Sequence, residues 1–293
     1  MKLKLAKKNF LGIETIPLES CEVVIVPFGL EKTTTFAKGT AKGPQKIIEV
    51  SPQLEYFDEE LEKDIYKEVK ISTIGEPRIK KSLLGAIRQL EEIIDEIYKS
   101  NKFPLVLGGE HSLTLGSVRS ALKKFSSFSI LQFDAHADLR DEYEGTIYNH
   151  ASVMRQCLKL NSLNLVQIGI RNISTDTNEF GFWKENQNRI KTFWAKDMAN
   201  WQIKDIVESL KENVYLTFDL DVFDCSLMPA TGTPEPGGLN WYQAMEILKA
   251  VARKKKIIGG DVVELSPLSG LVAPNFVAAK LVYKIIGYTF CLS

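Results

Sequence analysis

FSILQFDAHADLR, residues 128–140, joins a short apolar run to a segment in which Asp134, His136 and Asp138 alternate with alanines. An apolar run of that length, ending in charged residues, has the form of a buried strand that delivers polar side chains at its carboxyl end. Two other stretches share the form. VLGGEHSLT (106–114) places His111 just past a strand, and YLTFDLDVFD (215–224) does the same for Asp219 and Asp221.

Working outward, the apolar runs predict strands at Glu22–Phe28, Val69–Ile74, Pro104–Leu107, Phe128–Phe133, Leu165–Gly169, Ile190–Phe193, Val214–Phe218 and Ile257–Val263. Between them lie helical patterns. Ser82–Tyr98 carries apolar residues at 83, 84, 87, 90, 94 and 97, the spacing of one helix face. Weaker patterns occupy Leu113–Lys124, His150–Leu160, Ile203–Leu210, Tyr242–Lys254 and Asn275–Ile286, with Asn240 and Gln243 spaced as a capping box before the fifth helix. This alternation predicts an α/β fold: a three-layer α/β/α sandwich around a mainly parallel sheet. No linker, compositional break or repeat divides residues 1–293, so one domain is expected. In such sheets ligands gather at the carboxyl ends of the strands.

Composition removes several function classes. Lys+Arg and Asp+Glu are both 37, so no overall basic field exists to hold nucleic acid or an anionic membrane. The run Lys254–Lys256 reads as a solvated helix end. No stretch is long and apolar enough for a membrane span, and the opening residues lack a signal-peptide core. The four cysteines are scattered, as buried thiols in a reducing cytoplasm would be.

The chemistry is in the acids. If Asp134, Asp138, Asp219 and Asp221 converge, each like-charged pair at ~4 Å costs on the order of 4 kcal/mol at an effective dielectric near 20. Two divalent cations would cancel four aspartates, with the neutral imidazoles of His111 and His136 completing the set. Oxygen-rich ligation with a minority of nitrogen suits Mn²⁺ better than a thiolate-type zinc site. For Asp138 to join, the chain must curl after His136. Gly108 and Gly109 leave room for a close backbone approach to the metal loop.

Laid out in order, GGEHS (108–112), DAHAD (134–138), HAS (150–152), FDLDVFD (218–224), TGTPEPGGL (231–239) and GGDVVELSP (259–267) resemble the ureohydrolase (arginase) family, in particular its agmatinase branch. The resemblance implies a binuclear Mn²⁺ centre, two ions per subunit. Asp134 and Asp219 would bridge the ions, His111 and Asp138 would complete one shell, and His136 and Asp221 the other. It further implies that a bridging hydroxide attacks a guanidinium carbon, agmatine giving putrescine and urea. Glu264 would pair with the guanidinium. His150 would contact substrate or carry a proton to the leaving amine, with Asp138 counted beside it among the catalytic side chains. A cytoplasmic trimer or hexamer is also implied.

The loop LRDEYEGTIYN (139–149) sets Asp141, Glu142 and Glu144 against Arg140 alone, which favours a cationic amine tail over a carboxylate. Agmatine fits, and so does aminopropylagmatine. A formimino hydrolase, a one-metal deacylase and a silent binding paralogue are the rival expectations. Two departures stand out: Glu110 replaces the more usual Asp, and Cys225 follows Asp224 where proline is common, which should loosen that turn.

Overall fold

The computed structural model describes residues 3–160 and 163–292. The expected strands form, with ends within two residues of prediction: β1 (Val23–Phe28), β4 (Ile71–Thr73), β5 (Phe103–Gly108), β6 (Phe128–Phe133), β7 (Leu163–Ile170), β8 (Ile190–Trp194), β9 (Asn213–Asp219) and β10 (Lys256–Val263). A small antiparallel hairpin, β2 (Phe57–Asp58) with β3 (Lys63–Asp64), was not foreseen. The main sheet runs β4-β1-β5-β10-β9-β6-β7-β8, and every neighbouring pair is parallel.

Helices cover both faces. Side chains alternate along β1, so Val23 and Ile25 meet α1 (Gly43–Val50), α8 (Trp241–Lys254) and α9 (Ala273–Cys291) in one core. Val24, Val26 and Phe28 join α3 (Leu83–Lys99), α4 (Thr114–Lys124) and α5 (Val153–Leu158) in the other. The first core also takes residues of α7 (Ile203–Glu208). Ser82 caps α3, its hydroxyl accepting from Gly85 N–H. Asn240 and Gln243 form both bonds of the capping box on α8. The helices α1, α2 (Ile65–Glu68) and α6 (Glu179–Glu185) were not among the expected elements. The helix expected from His150 opens instead as a 3₁₀ turn, His150–Ser152, and α5 ends at Leu158.

Strand order explains where function can sit. The chain passes from β5 to β6 over two positions that β10 and β9 later fill, so the four central strands are β5, β10, β9 and β6. The segments singled out in the sequence leave the carboxyl ends of these four. Phe133 pairs with Phe218, and Phe218 with Val262, so Asp134 and Asp219 emerge at the same height on adjacent strands. Adjacent strands lie about 4.8 Å apart.

Gly109 sets the height of the neighbouring loop. A Cβ there would stand 2.1 Å from the carbonyl oxygen of Leu30. The close approach is therefore to the chain after β1, not to the metal loop as the sequence suggested. Glu110 N–H donates to Leu30 O, and Gly109 O accepts from Glu264 N–H. Among the described residues no helix is long and apolar enough to cross a membrane. The four cysteines carry free thiols, three of them buried. Gly109→Ala should lower unfolding stability by about 1–3 kcal/mol through overpacking. Chemical denaturation checks this, and an unchanged midpoint would contradict the contact.

Candidate metal centre

Both acidic motifs turn by the same local device. Asp134 Oδ1 accepts from His136 N–H at 2.6 Å, and Asp219 Oδ1 accepts from Asp221 N–H at 2.9 Å. Each is an Asx-type turn, in which a side-chain oxygen bonds the main chain two residues on and bends the strand end. The two ligand-type residues in each motif thus converge by turning, not by extended alternation. Asp138 then takes φ 55, a left-handed conformation that supplies the expected curl. Glu264 sits at φ 66 on the end of β10. Two non-glycine residues with positive φ at one site mark a backbone held by its surroundings.

The side chains meet in two fused groups. His111, Asp134 and Asp219 bring one ligand atom each within 4.8 Å of one another, and Asp134, His136 and Asp221 do the same. Asp134 is common to both. Asp219 enters the first group only, and Asp138 Oδ2 adds to that group at 3.0 Å from His111 Nδ1. The same Nδ1 lies 3.1 Å from Asp134 Oδ2 and 3.3 Å from Asp219 Oδ2, yet it is fully buried and makes no hydrogen bond. A buried nitrogen facing three carboxylate oxygens marks a cage for positive charge, either a proton or a cation that displaces it. On the other side His136 Nδ1 stands 2.9 Å from Asp221 Oδ2.

A row of polar residues one to three positions before the strand ends holds these ligands. Thr192, Gln167, Gln132, Thr217 and Asp261 lie in register across β8, β7, β6, β9 and β10. From one side, Trp183 Nε1 donates to Thr192, Thr192 to Gln167, and Gln167 to Gln132. Gln132 Nε2 ends the series by donating to Asp134 Oδ2 at 2.7 Å. From the other, Asp261 accepts from Thr114, Tyr215 and Thr217 hydroxyls. Thr217 spends its proton on Asp261 at 2.6 Å, so at 2.8 Å from His111 Nε2 its oxygen can only accept. His111 therefore carries its proton on Nε2 and turns Nδ1 into the cage. The polar residues of the row stood inside otherwise apolar strands, and that contrast was the signal available for Gln132, Thr217 and Asp261.

Electrostatics follow burial. Asp138 is pushed up to about 7, first by burial and then by the charge of Asp134. Asp219 rises well above the carboxylate range for the same reason, with Asp221 and Asp134 adding repulsion. Burial opposes charge on His111 and His136, but their aspartate partners outweigh it and hold both well above the usual imidazole value. Burial also opposes charge on Asp134, and its bonds with the two imidazoles keep it low.

Above the cluster opens a cavity of about 230 Å³. Glu264 lines it, with Oε1 accepting from His111 N–H at 2.6 Å and its pKa pushed up to about 8 by burial. His150 lines it from the far side. Its Nδ1 lies 3.1 Å from Thr33 Oγ1, and Thr33 donates to Glu110. Glu110, the longer acid noted in the sequence, thus reaches the 30–34 loop and orients His150 through Thr33, leaving Nε2 for the cavity. Burial holds His150 below its usual pKa.

The acidic loop does not behave as expected. Asp141 pairs with Arg155 at 3.3 Å and Lys159 at 3.4 Å, and Glu142 and Glu144 are exposed. The loop gives the cavity Arg140 and Tyr143 instead, with the guanidinium 4.6 Å from the ring centroid. The residues 139–149 pack their charge outward onto α5, a choice no local spacing could reveal. Around Cys225, Asp224 accepts from Ser226 N–H, Gly237 N–H and Gly238 N–H, bonds that fasten this turn to the 237–238 segment.

Comparison with known proteins gives this geometry a family. The arginase family profile matches residues 21–287. An N(1)-aminopropylagmatine ureohydrolase of Synechocystis is 38% identical, the match covering 96% of this chain and 94% of that protein. An agmatinase of Pyrococcus horikoshii is 34% identical over 94% of this chain and 95% of its own. The crystal structure of the agmatine ureohydrolase of Thermoplasma volcanium superposes with a TM-score of 0.84 at 27% identity, covering 94% of this chain and 92% of that one. With its eight-stranded parallel sheet and paired histidine–aspartate clusters, the chain belongs to the arginase family of ureohydrolases.

Proposed function

We propose that the chain hydrolyses an amine-tailed guanidine, agmatine foremost, to urea and the free amine, with two Mn²⁺ ions per subunit. One observation carries this: two buried ligand groups share Asp134, with Glu264 at the wall of the same cavity. His111, Asp134, Asp138 and Asp219 would hold one ion, and Asp134, His136, Asp219 and Asp221 the other. When bound, such a pair supplies an activated water and a sink for developing negative charge.

The remaining work belongs to the protein's own side chains. Glu264 has one oxygen tied to His111 N–H, which aims the carboxylate at the cavity. A planar guanidinium offers forked donors to it, and the arriving cation favours the ionised acid despite burial. His150 has Nδ1–H committed to Thr33, so Nε2 is the atom that can take up the proton released by the attacking water and pass it to the departing tail nitrogen. Water's oxygen ends in urea, the bond from carbon to the tail nitrogen breaks, and that nitrogen leaves protonated.

Aminopropylagmatine is the second reading, favoured by the 38% identical relative that bears its name. Urea release by Mn²⁺-loaded protein from agmatine, aminopropylagmatine, arginine and 4-guanidinobutyrate tests both. An amine-tailed compound should lead, and preference for a carboxylate tail would overturn the proposal.

Two outcomes concern the ions. Protons that the metal-free cluster holds near neutrality, on Asp138 and the two imidazoles, must leave when a cation enters. Apparent Mn²⁺ affinity should therefore rise with pH below neutrality, by about tenfold per unit for each proton displaced and so by well over tenfold in all. Free Mn²⁺ followed by electron paramagnetic resonance measures this, and a flat profile would refute it. Thr217→Val removes the acceptor of His111 Nε2–H and should weaken Mn²⁺ binding by about 10- to 100-fold. Unaltered affinity would show that the row beneath does not orient the ligand.

A further inference from the structure

The cavity's charges can be matched one by one on the reading just given. Four aspartates face two divalent cations. Glu264 faces the guanidinium. Glu179 lies 3.8 Å from Arg140 and accepts from Leu139 N–H and Ser174 N–H. One carboxylate on the cavity wall is left over, that of Glu235. Among the described residues it makes no ion pair, and its Oε1 accepts only from the neutral amide of Asn172, at 2.8 Å.

Its position is fixed from two directions. Arg171 Nη2 donates both to Asp221 O at 2.6 Å and to Glu235 O at 2.9 Å, so one guanidinium ties the 235 backbone to a metal-ligand backbone. Asn172 is bonded into the other metal loop: its N–H donates to Ala135 O, and its carbonyl accepts from Ala137 N–H. Glu235 is therefore held at a set place relative to both acidic motifs, on the more open side of the cavity from Glu264. It is a partly exposed acid whose backbone is tied in place, with no cation paired to it among the described residues.

We propose that Glu235 receives the ammonium of the substrate's tail and so sets the preference for amine-tailed guanidines. This rests on the proposed guanidine hydrolysis. It also replaces the role first expected of Asp141, Glu142 and Glu144, whose carboxylates do not line the cavity. The residue acts on binding and on choice of substrate, not on bond breaking.

Glu235→Gln keeps the size and the acceptor for Asn172 while deleting the charge. Agmatine and N-butylguanidine, which differ only by the terminal amine, should be compared by urea release in Mn²⁺-loaded wild type and variant. A charge-assisted hydrogen bond to an ion predicts that the agmatine-to-butylguanidine ratio of kcat/KM falls about 10- to 100-fold, through KM for agmatine. Glu235→Lys should carry the preference to 4-guanidinobutyrate. Mn²⁺ stoichiometry and circular dichroism of each variant identify misfolding, in which case both substrates would fail together in Glu235→Gln and the Lys variant would gain nothing. Urea release with an unchanged ratio in Glu235→Gln overturns the assignment alone. No urea from wild type with either compound overturns the functional reading and the assignment with it.

Discussion

Everything in this structure is arranged around the repulsion among four buried aspartates. Asp134, Asp138, Asp219 and Asp221 are each at most 5% exposed and meet around two imidazoles. Water cannot screen them there, and burial without compensation pushes carboxyl groups toward the protonated form. The protein has few ways to accept this. It can hold protons, as the raised Asp138 and Asp219 do, or it can hold cations that exchange for them. Carboxylates kept this close, with a buried imidazole nitrogen left unbonded among them, are costly as structure and useful as a metal cage.

The sheet supplies the rigidity this needs. Ligands borne on one loop could drift apart to relieve their repulsion, whereas ligands on the ends of β5, β6 and β9, held in one parallel sheet, cannot. His111, Asp134, Asp219 and Asp221 are also tied to the main chain or to the polar row beneath. Asp221 Oδ1 accepts from Ala135 N–H, joining the β9 end to the β6 end, and Asp134 takes the amide of Gln132. The polar row from Thr192 to Asp261 crosses five strands directly below, and each of its halves terminates on a different ligand. Such a row inside an apolar sheet is tolerable because its members satisfy one another and pass their last donor or acceptor upward.

These facts explain why some of the molecule was legible in sequence. Most of the strands were visible because they are short apolar runs buried on both faces, β8 with its exposed Lys191 being an exception. His111, Asp134, His136, Asp138, Asp219 and Asp221 were visible because acids and histidines at strand ends are unusual and came three times. The curl at Asp138 was demanded by geometry before it was seen. The helices α1 and α6 were missed although the shorter α7 was found, so length alone did not decide what could be read. The 139–149 loop was misjudged for a plainer reason. Charge composition says how much charge a loop has but not which way it points, and α5 contributes Arg155, against which Asp141 turns.

Side-chain direction also separates the two acids that bound the cavity. Glu264 and Glu235 both stand in motifs that marked the family, yet only Glu264 could be given a role from its place at the end of an apolar strand. Glu235 lies in the turn-rich TGTPEPGGL segment, where spacing predicts no face. Its position follows from Arg171, a residue with no signal of its own, whose guanidinium collects carbonyls from Gly169, Asp221, Phe223 and Glu235. This partly buried arginine bonds carbonyls of the metal loop and of the 235 segment alike, so the place of the loop and the backbone of Asp221 are coupled through one side chain.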